Sequence, residues 1–235
     1  MNGTLVHAFL RQRLSSPMRL VLLAMQMCFP LIAVALTKSM LPLGSSGFWF
    51  AFTFAAGAIG QDVSSGTLQL LLARPVTRPS YVVSRWLACA MAGVALVVLQ
   101  LLLATMVMML RGTHPDGLDL VRLLLENSAS ALAGSTFMIM LSTLASGLGD
   151  VALYFLSYVT VGLGASLAQY KNWLALQRVF GELSGVVEPK LGFAWLQLGG
   201  TPPWYPLAAW ASTLTLCLAI AIARMNRREL SYGTD

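Results

Sequence analysis

Six long apolar blocks, closed by charged or turn-forming residues, constrain this 235-residue chain more than any other feature. A helix needs about 20 apolar residues to cross the hydrocarbon core of a bilayer. The block at 18–37 has that length, and the shorter one at 44–60 is extended outward by residues from 41 onward. The block at 82–110 is long enough to tilt or project beyond the bilayer. Those at 129–148 and 151–170 are parted only by Gly149 and Asp150, which predicts a tight helical hairpin, and 204–223 is the last. The pattern predicts an all-α membrane protein, a single domain over 1–235 with six transmembrane helices and both termini on one side.

Composition leaves little room for another class. Hydrophobic residues make up 57% of the chain and charged residues 10%, against about a quarter charged in an ordinary soluble domain. So few charges cannot coat a globule of this size, so lipid has to cover much of it. The net charge of +6 sits at the ends of apolar blocks, where inner loops and anionic headgroups explain it and nucleic acid does not. Of the 15 Lys and Arg, nine fall on the side of the termini and six opposite, which orients the termini toward the cytoplasm. Cys28, Cys89 and Cys217 all lie within apolar blocks and read as small buried hydrophobes. A small-residue site at Ala33-Val34-Ala35 suggests signal cleavage, but the long basic leader and the full span behind it argue against that.

The connecting segments carry their own patterns. Residues 3–16 place Leu5, Phe9 and Leu10 near one helical face with His7, Arg11 and Arg13 elsewhere, as in an amphipathic helix lying in the membrane interface. Trp173, Leu176, Phe180, Leu183 and Val187 recur at helical steps before Pro189, and a second apolar piece follows at 191–198. These predict short external amphipathic helices before the sixth span.

The most informative stretch is 62–81, DVSSGTLQLLLARPVTRPSY, on the expected cytoplasmic side. Ser64 and Ser65 are able to cap a helix start, and Asp62 suits its positive end. Leu68, Leu71 and Leu72 form one apolar face, Pro75 stops the helix, and Arg74 and Arg78 bracket the stop. A short capped helix with an apolar face fits a groove on a partner protein. Asp62, Arg74 and Arg78 suit either ion pairs across that contact or snorkelling to headgroups.

Gly66-Thr67-Leu68 followed by Leu71-Leu72-Ala73-Arg74-Pro75-Val76-Thr77-Arg78 closely resembles the signature of ABC-2-type transporter permeases. Asp62 stands where that family usually has Glu, and Arg85 where it usually has Lys. The resemblance implies a subunit of a bacterial exporter in the cytoplasmic (inner) membrane. It implies a coupling helix between spans two and three that docks on a separate ATP-binding subunit through Asp62, Gly66, Thr67, Leu68, Leu71, Leu72, Arg74, Pro75, Val76 and Arg78. It further implies a second permease chain, ATP and magnesium on the partner alone, and a hydrophobic or amphiphilic cargo. The chain itself has no G-x-x-x-x-G-K-[ST] loop, so neither catalysis nor a cofactor is expected on it. The competing readings are a membrane scaffold or assembly factor of the same fold and, further off, an intramembrane enzyme.

Four other features invite a function. Gly44-Ser45-Ser46-Gly47 matches an intramembrane serine-protease motif, but His7 and His114 are the only histidines and neither is at membrane depth to act as base. A flexible external turn is expected there. Met25, Met27 and Cys28, and Met106, Met108 and Met109, resemble soft-metal clusters, yet the 12 Met of so apolar a chain mostly fill gaps, and Met27 points away from the face that Met25 and Cys28 share; no metal site is expected. Among polar groups inside spans, Gln100 is the candidate for a substrate pathway. Small residues at Ala56 and Gly60, and at Gly162 and Gly164, mark close helix contacts or a dimer seam.

Overall fold

The structure, a computed structural model, describes residues 3–72, 76–188, 190–198 and 200–227. Among them every regular element is a helix. α1 (Gly3–Leu14) turns at Ser15 into α2 (Pro17–Thr37), where Pro17 occupies the first turn and costs no intrahelical hydrogen bond. Lys38, in the left-handed conformation at φ 54°, ends α2 by returning its N–H to the Val34 carbonyl. A 3₁₀ turn at Leu41–Leu43 leads into α3 (Ser46–Ala55). The chain unwinds over 56–59 and resumes as α4 (Gly60–Ser64), so the second apolar block is a broken helix. α5 (Thr67–Leu72), α6 (Arg78–Leu110), α7 (Gly117–Leu144), α8 (Gly149–Tyr170), α9 (Leu174–Val187), α10 (Trp195–Leu198) and α11 (Trp204–Arg227) follow.

α7 is the hub, packed against α3, α6, α8 and α11. Close approach to α3 depends on two glycines. A Cβ on Gly47 would lie 2.0 Å from the Asn127 carbonyl oxygen, and one on Gly134 would lie 2.7 Å from the Phe48 ring. Asn127, 1% exposed, locks the same contact by accepting the Gly47 N–H at 3.0 Å and a hydrogen bond from the Ser46 hydroxyl at 3.3 Å. The second half of the stretch expected to be a flexible external turn, Ser46 and Gly47, is therefore a buried packing corner. Polar packing continues between helices: Trp86 Nε1 donates to Thr136 Oγ1 at 2.7 Å, and Gln26 and Thr53 bond reciprocally at 2.9 and 3.1 Å.

Among the described residues, five helical passes are long and apolar enough to cross a membrane: Pro17–Thr37, Leu41–Ser64, Arg78–Leu110, Gly149–Tyr170 and Trp204–Arg227. α7 is not one of them, although its 28 residues reach about 42 Å at ~1.5 Å per residue. Its second half is rich in Ala, Ser and Thr, with Ser135, Thr136 and Ser142 almost fully buried. A helix surrounded by protein has no need of the large apolar side chains that lipid contact requires. The turn after α7 also differs from expectation. It occupies 145–148, while Gly149 and Asp150 belong to the first turn of α8.

α1 packs on the start of α6, and the last turn of α11 meets the same end, where Arg78 Nη1 donates to the Met225 and Asn226 carbonyls at 3.2 and 2.7 Å. Both ends of the described chain thus lie at one end of the bundle. α9 does not lie flat across the other end. It folds back antiparallel along α8, with Gln177 Nε2 donating to the Ala168 carbonyl at 3.1 Å and the Phe180 ring filling the notch at Gly164.

Candidate functional site

The segment expected to meet a partner is built on a polar cluster at the α1 end of the bundle. Asp62, 3% exposed, is in the first turn of α4, not at the start of α5. It pairs with Arg85 of α6 and accepts the Tyr81 hydroxyl. The Arg85 guanidinium also lies 4.2 Å from the Phe9 ring centroid of α1, and Arg13 lies 4.8 Å from the same ring. Arg13 is itself buried, which lowers its guanidinium to about 10, and Arg19 and Arg85 nearby add to the effect. It remains charged at neutral pH and donates to the Ala56 carbonyl at 2.7 Å. α1 is thus anchored to protein through an arginine expected off its apolar face.

The unwound stretch at 56–59 exposes backbone groups that a helix would have satisfied, and buried backbone groups need partners. Side chains from other elements supply several of them. Asp150, fully buried, accepts the Gly57 N–H at 2.6 Å through Oδ2 and its neighbour Val151 N–H at 2.9 Å. The Ser142 hydroxyl accepts the Ile59 and Gly60 N–H groups at 3.0 and 2.9 Å and hydrogen-bonds Asp150 in turn. Gly147 N–H donates to the Gly60 carbonyl at 2.8 Å, and a Cβ on Gly60 would lie 2.6 Å from the Gly147 oxygen. Gly57 stands at φ +66°. This seam joins α3, α4, α7 and α8. The small residues Ala56 and Gly60 marked a close helix contact here, and Gly60 does meet Gly147, but the break in the helix was not foreseen.

Gly66, at φ +71°, turns α4 into α5, and Ser65 caps the end of α4 rather than the start of α5. The apolar face assigned to a partner divides. Leu68, 2% exposed, belongs to the chain's own core, and Leu71 packs against that core. Leu70, not among the expected contacts, is 73% exposed. Thr67 and Val76 are half-buried, and Arg78 reaches the α11 carbonyls described above. The Leu72 side chain, Arg74 and Pro75 lie outside the described residues. Asp62 and Leu68 are thus buried within this chain, Asp62 being tied to α6 through Arg85 and Tyr81. Gln100 is likewise a packing residue, 1% exposed, its Nε2 donating to the Gln26 carbonyl at 3.2 Å. Met25 and Cys28 are exposed on α2 while Met27 packs inward.

A bundle of long apolar passes around a polar-lined hub, with a short helix held at one end, defines a multi-pass membrane protein. The model of the family described as ABC-2 family transporter protein matches residues 22–223. The chain belongs to that family and is a membrane component of a transporter. No curated protein matches it significantly.

Proposed function

We propose that the chain is the permease subunit of a bacterial ABC exporter, working with a second permease chain and a separate cytoplasmic ATP-binding subunit that carries ATP and magnesium. Its six spans include α7 as the fourth. An even number of passes is what returns both chain ends to one side of the bundle, and the arginine bias makes that side cytoplasmic. The cargo is hydrophobic or amphiphilic.

The observation that carries this reading is the mounting of α5. Leu68 anchors the helix in the core while Leu70 faces outward, and α4 links it directly to the unwound stretch of the second pass. Movement of a partner seated on Leu70 is delivered through Gly66 to the seam at 56–60, where the helix is already open. Leu70→Asp is expected to remove the co-purifying ATP-binding subunit, identified by mass spectrometry, while leaving the permease folded. Full retention of that subunit rejects α5 as the coupling element.

A further inference from the structure

The α8–α9 hairpin brings a carboxylate to the level of the middle of α8. Its register is set by matched pairs. Gln177 meets Ala168, Phe180 fills the notch at Gly164, and beyond them Ser184, Val187 and Glu188 share a cavity of about 250 Å³ with Tyr158, Val161 and Gly162. Tyr158 lies near the centre of α8 (Gly149–Tyr170), a helix long and apolar enough to cross a membrane. The twelve residues from Tyr158 to Tyr170 span about 18 Å of helix. Glu188 therefore lies level with the middle of a helix of membrane-crossing length.

A carboxylate at that depth is costly, and such residues mark ligand routes. Lys190 Nζ pairs with Glu188 at 3.1 Å, but Lys190 does not line the cavity and its side chain is 62% exposed. One helical turn below Tyr158, the Tyr154 hydroxyl is buried with no hydrogen-bond partner among the described residues. Its ring stacks on Tyr158 at 6.1 Å, and the Glu188 carboxylate is near enough to act on it electrostatically. The cavity thus offers a carboxylate, an aromatic ring, the Ser184 side chain and an apolar wall. An ammonium group is matched by both the carboxylate and the ring face, whereas an anion meets repulsion. The volume is below the roughly 300 Å³ at which pockets take a whole drug-sized ligand, so it suits a headgroup.

We propose that this cavity is a subsite for the cationic headgroup of an amphiphile, the ammonium set against Glu188 beside Tyr158 and the apolar tail leaving past Val161. The proposal rests on the transporter reading and names the cargo class. The test is saturable binding of tritiated dodecyltrimethylammonium to the full chain in phosphatidylcholine nanodiscs, with partition into empty nanodiscs subtracted. Glu188→Gln is expected to weaken binding by about tenfold or more, the weight of one charge-assisted contact. Lys190→Gln is expected to retain it, and dodecyl sulfate to compete poorly. Gly162→Leu, at a position whose Cβ would meet nothing within 4 Å, fills the cavity with Glu188 intact and is expected to abolish binding. Thermal unfolding confirms that each variant is folded. Equal binding by wild type and Glu188→Gln, equal competition by dodecyl sulfate, or binding unchanged in Gly162→Leu overturns the subsite. Retention of an ATP-binding subunit is measured on the same preparations. Its presence with no ammonium binding rejects the subsite alone, and its absence from the wild type rejects the transporter reading.

Discussion

Removing either member of the Asp62–Arg85 pair leaves the other buried without compensation. Asp62→Ala is expected to cost about 3–5 kcal/mol, read as a lower thermal midpoint in detergent, with no change in the helical content of the folded state. At Gly47 the expected effect is steric. Ala there would drive its Cβ against the Asn127 backbone, so Gly47→Ala should cost about 1–3 kcal/mol and loosen α3 from α7. The sequence identified Asp62 and Arg85 as an acidic and a basic position of one motif. It could not reveal that they face each other, because they sit on different helices, 23 residues apart. Gly44 to Gly47 misled for a related reason. Serine and glycine mark flexible turns and tight helix contacts alike, and only the partner, Asn127, 80 residues away, separates the two.

At the scale of elements, the helices themselves were legible because a bilayer demands length and apolarity together. Their faces were less so. α5 carries leucine at 68, 70, 71 and 72, and a six-residue helix with leucine nearly all round has no periodic signal to choose an outer face. Leu68→Ala is expected to cost about 2–5 kcal/mol of stability, whereas Leu70→Ala should leave the thermal midpoint within about 0.5 kcal/mol. The break at 56–59 was hidden for a different reason. An unwound stretch and a helix have the same apolar composition, and what makes the break tolerable lies elsewhere, in Ser142 and Asp150. Ser142→Ala strands two backbone N–H groups and is expected to cost about 1–3 kcal/mol, with faster amide exchange at Ile59 and Gly60 as the local readout.

Over the whole molecule, the apolar faces of α2, α8 and α11 remain uncovered by this chain, as lipid contact requires. α7 is the opposite case. Its second half is largely enclosed by protein and needs less apolarity, so a search for hydropathy alone does not select it. In the proposed function these parts form one mechanical path: Leu70 outside, Leu68 and the Asp62–Arg85 pair as mounting, and the seam of Ser142 and Asp150 where the second pass opens. The most direct measurement of that path is site-specific photocrosslinking from position 70 in native membranes, compared with position 216 on the exposed face of α11. A crosslink from position 70 to an ATP-binding subunit, absent from position 216, is the predicted result. Crosslinks to lipid alone from both positions would contradict it.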